Sequence, residues 1–341
     1  MATIIGWDVG GAHLKAARVE GETLQEVIQL PCTLWLGPEH LDRALEGAIR
    51  QLGSADRHAV TMTGELVDYF PDRAEGVRRL VGVLCERLPH LSIWAGPLGF
   101  LQPEWARNEV RAVASANWLA SVVWTARRLP QGIFADMGST TTDLVPFANG
   151  RSLHRGLTDA ERLGEAELVY TGAVRTPLMA VAPSIPFSGR IQGVMAEYFA
   201  TIADVHRLRG VLPHEADLHD TADHRGKSVE ESAARIARMV GCDLADAPME
   251  NWRTLAEAFA RRQLDQLVQA AERVLSRGDL DASAPVVGAG VGRFVLRELA
   301  AALGRPYRDL AETLEGSDEL REAAAIAAPA AAVALLAASS A

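Results

Sequence analysis

The chain has 341 residues with 34 basic and 44 acidic side chains, a formal net charge of −10. That length is two domains or one duplicated architecture at roughly 100–200 residues per domain, and 48% hydrophobic residues supply a core, which excludes general disorder. The acidic balance, with no long basic run, excludes a nucleic-acid partner, since phosphate backbones are bound by clustered positive charge.

Short β-type runs are predicted at 3–9, 13–19 and 26–30, joined by turn-forming glycines at Gly10–Gly11 and Gly21. The pattern continues with a helix at 39–52, a strand at 58–62, a helix at 73–88, a strand at 91–94 and one long helix from about 109 to 128. It restarts after Pro130 with a strand at 132–136, a Gly138–Ser139 turn and a strand at 141–147. Residues 150–250 are less regular. A long amphipathic helix follows at 252–277, then a strand at 285–288 and a helix at 293–303. The apolar stretch 323–338 is mostly alanine, contains Pro329 and is shorter than the ~18–20 residues of a membrane span, so it reads as a buried C-terminal helix. Cys32, Cys85 and Cys242 form no CxxC pair, and the N-terminus lacks the positive region of a secretory signal. A cytoplasmic protein with no membrane partner is the expectation.

Two segments align at an offset of 128 residues: DVGGAHLKAARV (8–19) and DMGSTTTDLVPF (136–147). Asp8 meets Asp136, Gly10 meets Gly138, Gly11 meets Ser139 and Lys15 meets Asp143. A glycine-containing turn between two strands presents consecutive backbone N–H groups, an anion-binding nest. Asp8 and Asp136, each at a strand end beside such a turn, are candidate carriers of Mg2+ through water, with Asp143 a third. The hydroxyls of Ser139, Thr140 and Thr141 can donate to phosphate oxygens. Two such hairpins make a polyphosphate clamp; one alone reads as an ordinary β-hairpin.

A third element, APVVGAGVGRFVLRELAAALG (284–304), reads as strand, glycine loop and helix. Gly288, Gly290 and Gly292 permit close backbone approach at a helix N-terminus, where nucleotide groups are accommodated; a packing turn has the same pattern. Of the 34 basic residues 32 are arginine, so Lys15 and Lys227 stand out as sites where a compact, flexible ammonium is retained.

The order of two phosphate hairpins and a glycine loop resembles the actin, sugar kinase and Hsp70 group. More closely, the chain resembles the hydantoinase/oxoprolinase-related proteins of the tetrahydromethanopterin-linked one-carbon pathway. The residues carrying that likeness are GWDVGGAHLKAA (6–17), VTMTGELVDYFPDRAEGVRRL (60–80), SANWLA (115–120), ADMGSTTTDLVPF (135–147), RLGEAELVYTGAVRTPL (162–178), ADVHRLRG (203–210) and TADHRGKS (221–228). The hairpins are general to the group, whereas TMTGEL, ELVYTG and TADHRGK are more specific.

What the resemblance implies for the fold is α/β: a duplicated actin-like (ribonuclease H-like) two-domain architecture with mixed five-stranded sheets and an interdomain cleft. Its first half would span 1–130 with the C-terminal helix (about 320–338) packed back on it, and its second 131–319 with a polar insertion at about 150–250. For function it implies a magnesium-using transferase of methanofuran or methylofuran biosynthesis. The reaction joins an aminomethyl-furfuryl diphosphate to the phenol oxygen of a tyrosine-derived acceptor and releases diphosphate. Its partners are these small molecules, with room for a homodimer. Lys15 would neutralise a diphosphate oxygen. Arg175, Arg225 and Lys227 would form a second basic lip. A base must take the phenol proton, and Glu65 of TMTGEL and His13 are the candidates. Asn117, in the middle of an apolar helix, is a polar group in need of a partner.

Two points stay open. Four of the nine histidines (His206, His214, His219, His224) lie with Asp204, Asp217, Asp220 and Asp223 in one polar segment, so a transition-metal site there is an alternative to a plain polar loop. An ATP-dependent small-molecule kinase or oxoprolinase-like amide hydrolase would use the same hairpins. ATP is not favoured, because Ala12, His13 and Lys15 stand where oxoprolinase-like hairpins carry a threonine–aspartate pair, and no GNDAN segment is present.

Overall fold

The computed structural model describes residues 2–214, 216–218 and 220–339. The chain opens with β1 (Thr3–Val9), β2 (His13–Glu20) and β3 (Thr23–Pro31), then α1 (Glu39–Leu52) and β4 (Arg57–Met62). A 3-10 turn at Gly64–Leu66 leads to α2 (Arg73–Arg87), β5 (Leu91–Trp94) and β6 (Phe100–Leu101). The short helices α3 (Pro103–Ala106) and α4 (Val110–Val113) precede α5 (Asn117–Arg128). Next come β7 (Gln131–Met137), β8 (Thr142–Ala148), β9 (Arg151–Ser152), α6 (Asp159–Gly164), β10 (Leu168–Val169) and α7 (Leu178–Val181). The hairpin β11 (Ser184–Phe187) and β12 (Arg190–Gly193) is followed by α8 (Ile202–Arg209), α9 (Val229–Met239) and the 27-residue α10 (Met249–Leu275). The last elements are β13 (Val286–Ala289), α11 (Arg293–Ala302), β14 (Tyr307–Asp309), α12 (Asp318–Ile326) and α13 (Ala328–Ala338).

The first sheet has the order β3-β2-β1-β4-β5-β6, six strands where five are expected, the extra one being the two-residue β6. β1 pairs antiparallel with β2 and parallel with β4, so the sheet is mixed. The period of two along β1 sends Trp7 and Val9 into a core with Leu41 and Leu45 of α1 and Val77 and Leu80 of α2. Gly6 and Asp8 take the opposite face, which α13 covers: a Cβ on Gly6 would stand 2.2 Å from the Ala330 carbonyl oxygen. The second sheet runs β10-β8-β7-β13-β14, with β9 against β8.

Two compact units divide the chain. One comprises Met1–Phe134, Val145–Glu165 and Arg308–Ala341, the other Ala135–Leu144 and Ala166–Tyr307. Beside its sheet, the second unit has a helical core of α8, α9 and α10 around Trp252, Phe259, Val205 and Ile236. α9 starts from a Ser228–Glu231 capping box, which satisfies two backbone N–H groups reciprocally.

Two helices differ from expectation. The predicted run 109–128 is broken: Ala114 is extended and bridges Met62 of β4, and Ser115 takes a left-handed φ of 52°, so α5 starts only at Asn117. Asn117 is therefore the first residue of a helix and not a polar group in its middle. The C-terminal stretch is also two helices, α12 and α13, bent by 108°. Pro329 sits in the first turn of α13, where the missing N–H has no intrahelical partner in any case. Among the described residues no single helix is long and apolar enough to cross a membrane.

Candidate functional site

In the first unit, the C-terminal ends of the parallel strands β1 and β4 carry the first hairpin turn and the TMTGEL turn side by side. The Gly10 amide donates to the His13 carbonyl at 3.0 Å and closes the β1–β2 turn. Thr63 N donates to the Val9 carbonyl at 3.0 Å, and a Cβ on Gly11 would meet the Val67 side chain at 2.7 Å, so the two turns are seated against each other. Ligands of open α/β sheets are bound at such strand ends.

Asp8, near the end of β1, faces Lys15 across the antiparallel ladder and Thr61 across the parallel one. It is buried, and burial raises its pKa, while the Lys15 charge and the Asn117 amide pull the other way. The Lys15 ammonium also donates to the carbonyl of Ile326 at the end of α12, at 3.4 Å, a favourable end of a helix for a cation. The Asp8 Oδ1 and Thr61 Oγ1 atoms are buried without a hydrogen-bond partner. An orphaned carboxylate oxygen of this kind fits a hard divalent cation that keeps its own water. No cluster of three metal-ligating side chains occurs among the described residues.

Glu65 lies in the 3-10 turn after β4 and is 1% exposed. Its Oε1 accepts from Ser115 Oγ at 2.9 Å, while Oε2 has no partner. Burial pushes its pKa up to about 7, opposed by the Ser115 hydrogen bond and the Arg73 charge and reinforced by Asp159. A carboxyl poised near neutrality with one open oxygen is equipped to accept a proton. Ser115 carries no sequence signal of its own, and only its place in SANWLA points to it.

In the second unit, Gly138 N donates to the Thr141 carbonyl at 3.0 Å, closing the β7–β8 turn around Ser139 and Thr140. The TGAVRTP segment is laid directly on this turn. Ala173 N donates to Gly138 O at 2.9 Å, and Val174 N and Arg175 N donate to Ser139 O at 3.1 and 2.9 Å. Only a glycine fits at 172, where a Cβ would stand 2.5 Å from Ser139 C and Thr140 N. The loop is braced from behind by the buried Gln263 of α10, whose amide donates to Thr171 Oγ1 at 2.8 Å and Gly172 O at 2.7 Å. His206 joins Gln263 Oε1 at 3.0 Å, and its burial lowers its pKa to about 3, so it is a neutral strut. Gly172 and Gln263 were not singled out by sequence. The Ser139 hydroxyl is buried without a partner.

The 288–292 loop belongs to the same region. Gly292 N donates to Met137 O at 2.9 Å, and a Cβ on Gly290 would fall 2.4 Å from Asp136 Oδ1. A Cβ on Gly288 would enter the Tyr307 ring and one on Gly292 the Met137 side chain, so all three glycines are demanded by packing. Asp136 and Asp143 are half-buried on β7 and β8, in contrast to the buried Asp8, and the Arg175 side chain is exposed.

Lys227 donates to the Asp217 carbonyl at 2.8 Å and pairs with its carboxylate at 3.4 Å. Asp217 also binds Arg207 at 2.6 Å, and the buried Arg235 binds Asp204 at 2.8 Å and Asp223 at 3.0 Å. The polar segment is thus an ion-pair network in which guanidinium groups neutralise the carboxylates. His219 lies outside the described residues.

The model of the hydantoinase/oxoprolinase family matches residues 56–338. The chain is 28% identical over 298 residues to the (4-{4-[2-(gamma-L-glutamylamino)ethyl]phenoxymethyl}furan-2-yl)methanamine synthase of Methanocaldococcus jannaschii, covering 86% of this chain and 88% of that one. The protein of the same name from Methanococcus vannielii is 29% identical over 171 residues, 50% of this chain and 75% of that one. Acetone carboxylase in its nucleotide-free structure shares the fold, with a TM-score of 0.54 at 12% identity over 89% of this chain and 68% of that one. The architecture is α/β, and the likeness to acetone carboxylase is one of fold. With the family model matched over well more than half of its length, this chain belongs to the hydantoinase/oxoprolinase family.

Proposed function

We propose that this chain is a transferase of methanofuran-type cofactor biosynthesis, joining an aminomethyl-furfuryl diphosphate to the phenol oxygen of a tyrosine-derived acceptor. The observation that carries the reading is the match to the M. jannaschii synthase over 86% of the chain, since that protein's name describes a phenoxymethyl-furan amine, an ether of this class. The acceptor is γ-glutamyltyramine or a simpler tyrosine-type phenol.

The bond from the furfuryl carbon to diphosphate breaks with its electron pair leaving on diphosphate, and the electron-rich furan carries the developing positive charge. The phenol oxygen bonds to that carbon and surrenders its proton. A free phenol, with a pKa of ~10, is a poor donor to a carboxylate, but its proton becomes strongly acidic as the oxygen is alkylated. Glu65, held near neutrality by burial and open at Oε2, is the acceptor of that proton. Burial raises the pKa of Asp8, and the Lys15 ammonium beside it works in the opposite direction, favouring the carboxylate. Magnesium, carried by Asp8 through water, would supply neutralisation of the diphosphate charge.

The test is mass spectrometry of products from purified protein with magnesium, the aminomethyl-furfuryl diphosphate and tyrosine, tyramine or γ-glutamyltyramine, with and without ATP. An ether product with diphosphate release and no need for ATP is expected. ADP formed from ATP in the presence of a small amide or alcohol, with no ether, would overturn the reading.

A further inference from the structure

Glu65 is fixed from two sides. On one, Gly76 of α2 lies so close that a Cβ there would stand 2.6 Å from the Glu65 carbonyl oxygen and 2.9 Å from its Cβ. On the other, Ser115 reaches the carboxyl itself at 2.9 Å. Ser115 does so from a left-handed backbone, φ 52°, which L residues other than glycine adopt rarely. The chain breaks the helical run between α4 and α5 at this residue, and the Met62–Ala114 bridge ties the break to the end of β4, three residues before Glu65. Backbone irregularities held in place by their surroundings collect at functional sites, and this one is aimed at a buried carboxyl.

We propose that Ser115 is the positioning residue of Glu65, its hydroxyl anchoring Oε1 so that Oε2 is the atom presented to the acceptor's proton. The assignment rests on the reading of Glu65 as the base. Ser115 binds the ionised carboxyl better than the neutral one and so offsets part of the effect of burial. The other groups acting on Glu65 are its own backbone N–H, which also favours the ionised form, and Arg73 of α2 and Asp159 of α6, which act in opposite directions and pair with each other at 2.8 Å. Ser115 is the side-chain contact on the carboxyl that a substitution can remove.

Two variants separate positioning from a merely structural role. S115A removes the hydroxyl and keeps the backbone demand, whereas S115G removes the hydroxyl and relieves it. Each is compared with the unchanged protein and with E65Q by infrared titration of the buried carboxyl band, identified by its disappearance in E65Q, and by kcat/KM for ether formation against pH. In both serine variants the band titrates about one pH unit higher, and kcat at pH 7 falls about fivefold with KM little changed. The rate returns as the pH is raised. A lower rate at every pH with an unmoved band, E65Q being inactive, overturns the role of Ser115 and leaves the base in place. Ether formation by E65Q overturns the base, and the positioning role with it.

Discussion

At the first hairpin the Gly10 amide donates to the His13 carbonyl at 3.0 Å; at the second the Gly138 amide donates to the Thr141 carbonyl at the same distance, 128 residues later in the chain. The surroundings of this common turn differ. The first keeps a buried carboxylate oxygen without a partner, and its neighbour turn supplies Glu65. The second has its Gly138 and Ser139 carbonyls taken by the TGAVRTP segment, braced in turn by Gln263 and His206. A repeated turn has thus been put to two uses: the first leaves a buried carboxylate oxygen without a partner, while the second, whose Ser139 hydroxyl is also unpartnered, has its carbonyls covered by its own polypeptide. Unsatisfied buried groups are expected where a ligand completes them.

The sharpest test of this contrast is D8N. Asparagine fills the same space without charge, so turnover drops by about a thousandfold or more while thermal unfolding occurs no lower than in the parent, because burial opposes the charge it removes. Full activity of D8N would erase the distinction between the hairpins. G172A comes next. Its Cβ would press on backbone atoms of Ser139 and Thr140, and urea unfolding should register a loss of about 3 kcal/mol.

E65Q tests the first unit from the stability side. The folded pKa of about 7 lies above the 4.5 of an ordinary glutamate, so Glu65 contributes stability that is full below pH 4.5 and is lost as the pH rises through 7. Glutamine has no such dependence. Unfolding measured at pH 4.5 and pH 8 should show E65Q gaining about 3 kcal/mol on the parent at the higher pH, while forming no ether. A difference that stays flat with pH would place the carboxyl in an ordinary environment.

Smaller effects belong to the second unit. Q263L removes the Gln263 amide from the Gly172 carbonyl and the Thr171 hydroxyl, leaves them only the more distant Thr176 hydroxyl, and costs about 2 kcal/mol. G138A, whose Cβ would stand at an ordinary 3.7 Å from the Thr141 carbonyl oxygen, should cost under about 1 kcal/mol in the same measurement. Equal effects of G138A and G172A would dissolve the view that the segment laid over the turn is what closes it.

The strands and long helices were legible because their periods were clean: β1, α1 and β5 have the predicted bounds, and α11 starts where the pattern starts. What the pattern missed were interruptions. Residues 109–128 read as one helix because Ala114, Ser115 and Ala116 offer no breaker, and only a contact with Glu65, 50 residues away, reveals the break. Glu65 was visible as a carboxylate after a strand, but the orphaned Thr61 hydroxyl and the Gln263 brace depend on burial that composition does not encode. Lys227 stood out by rarity, whereas its partner Asp217 could be found only from the fold.

The helix that seals the face of β1 bearing Gly6 and Asp8 is the last in the chain, with Ala330 and Ala334 flush against Gly6. During synthesis that face of the first sheet stays uncovered until residue 338 has emerged, so the N-terminal strands cannot reach their final packing while the second unit is being made. The first unit is therefore completed only after the second has been made, which leaves this face of β1 open in the interval.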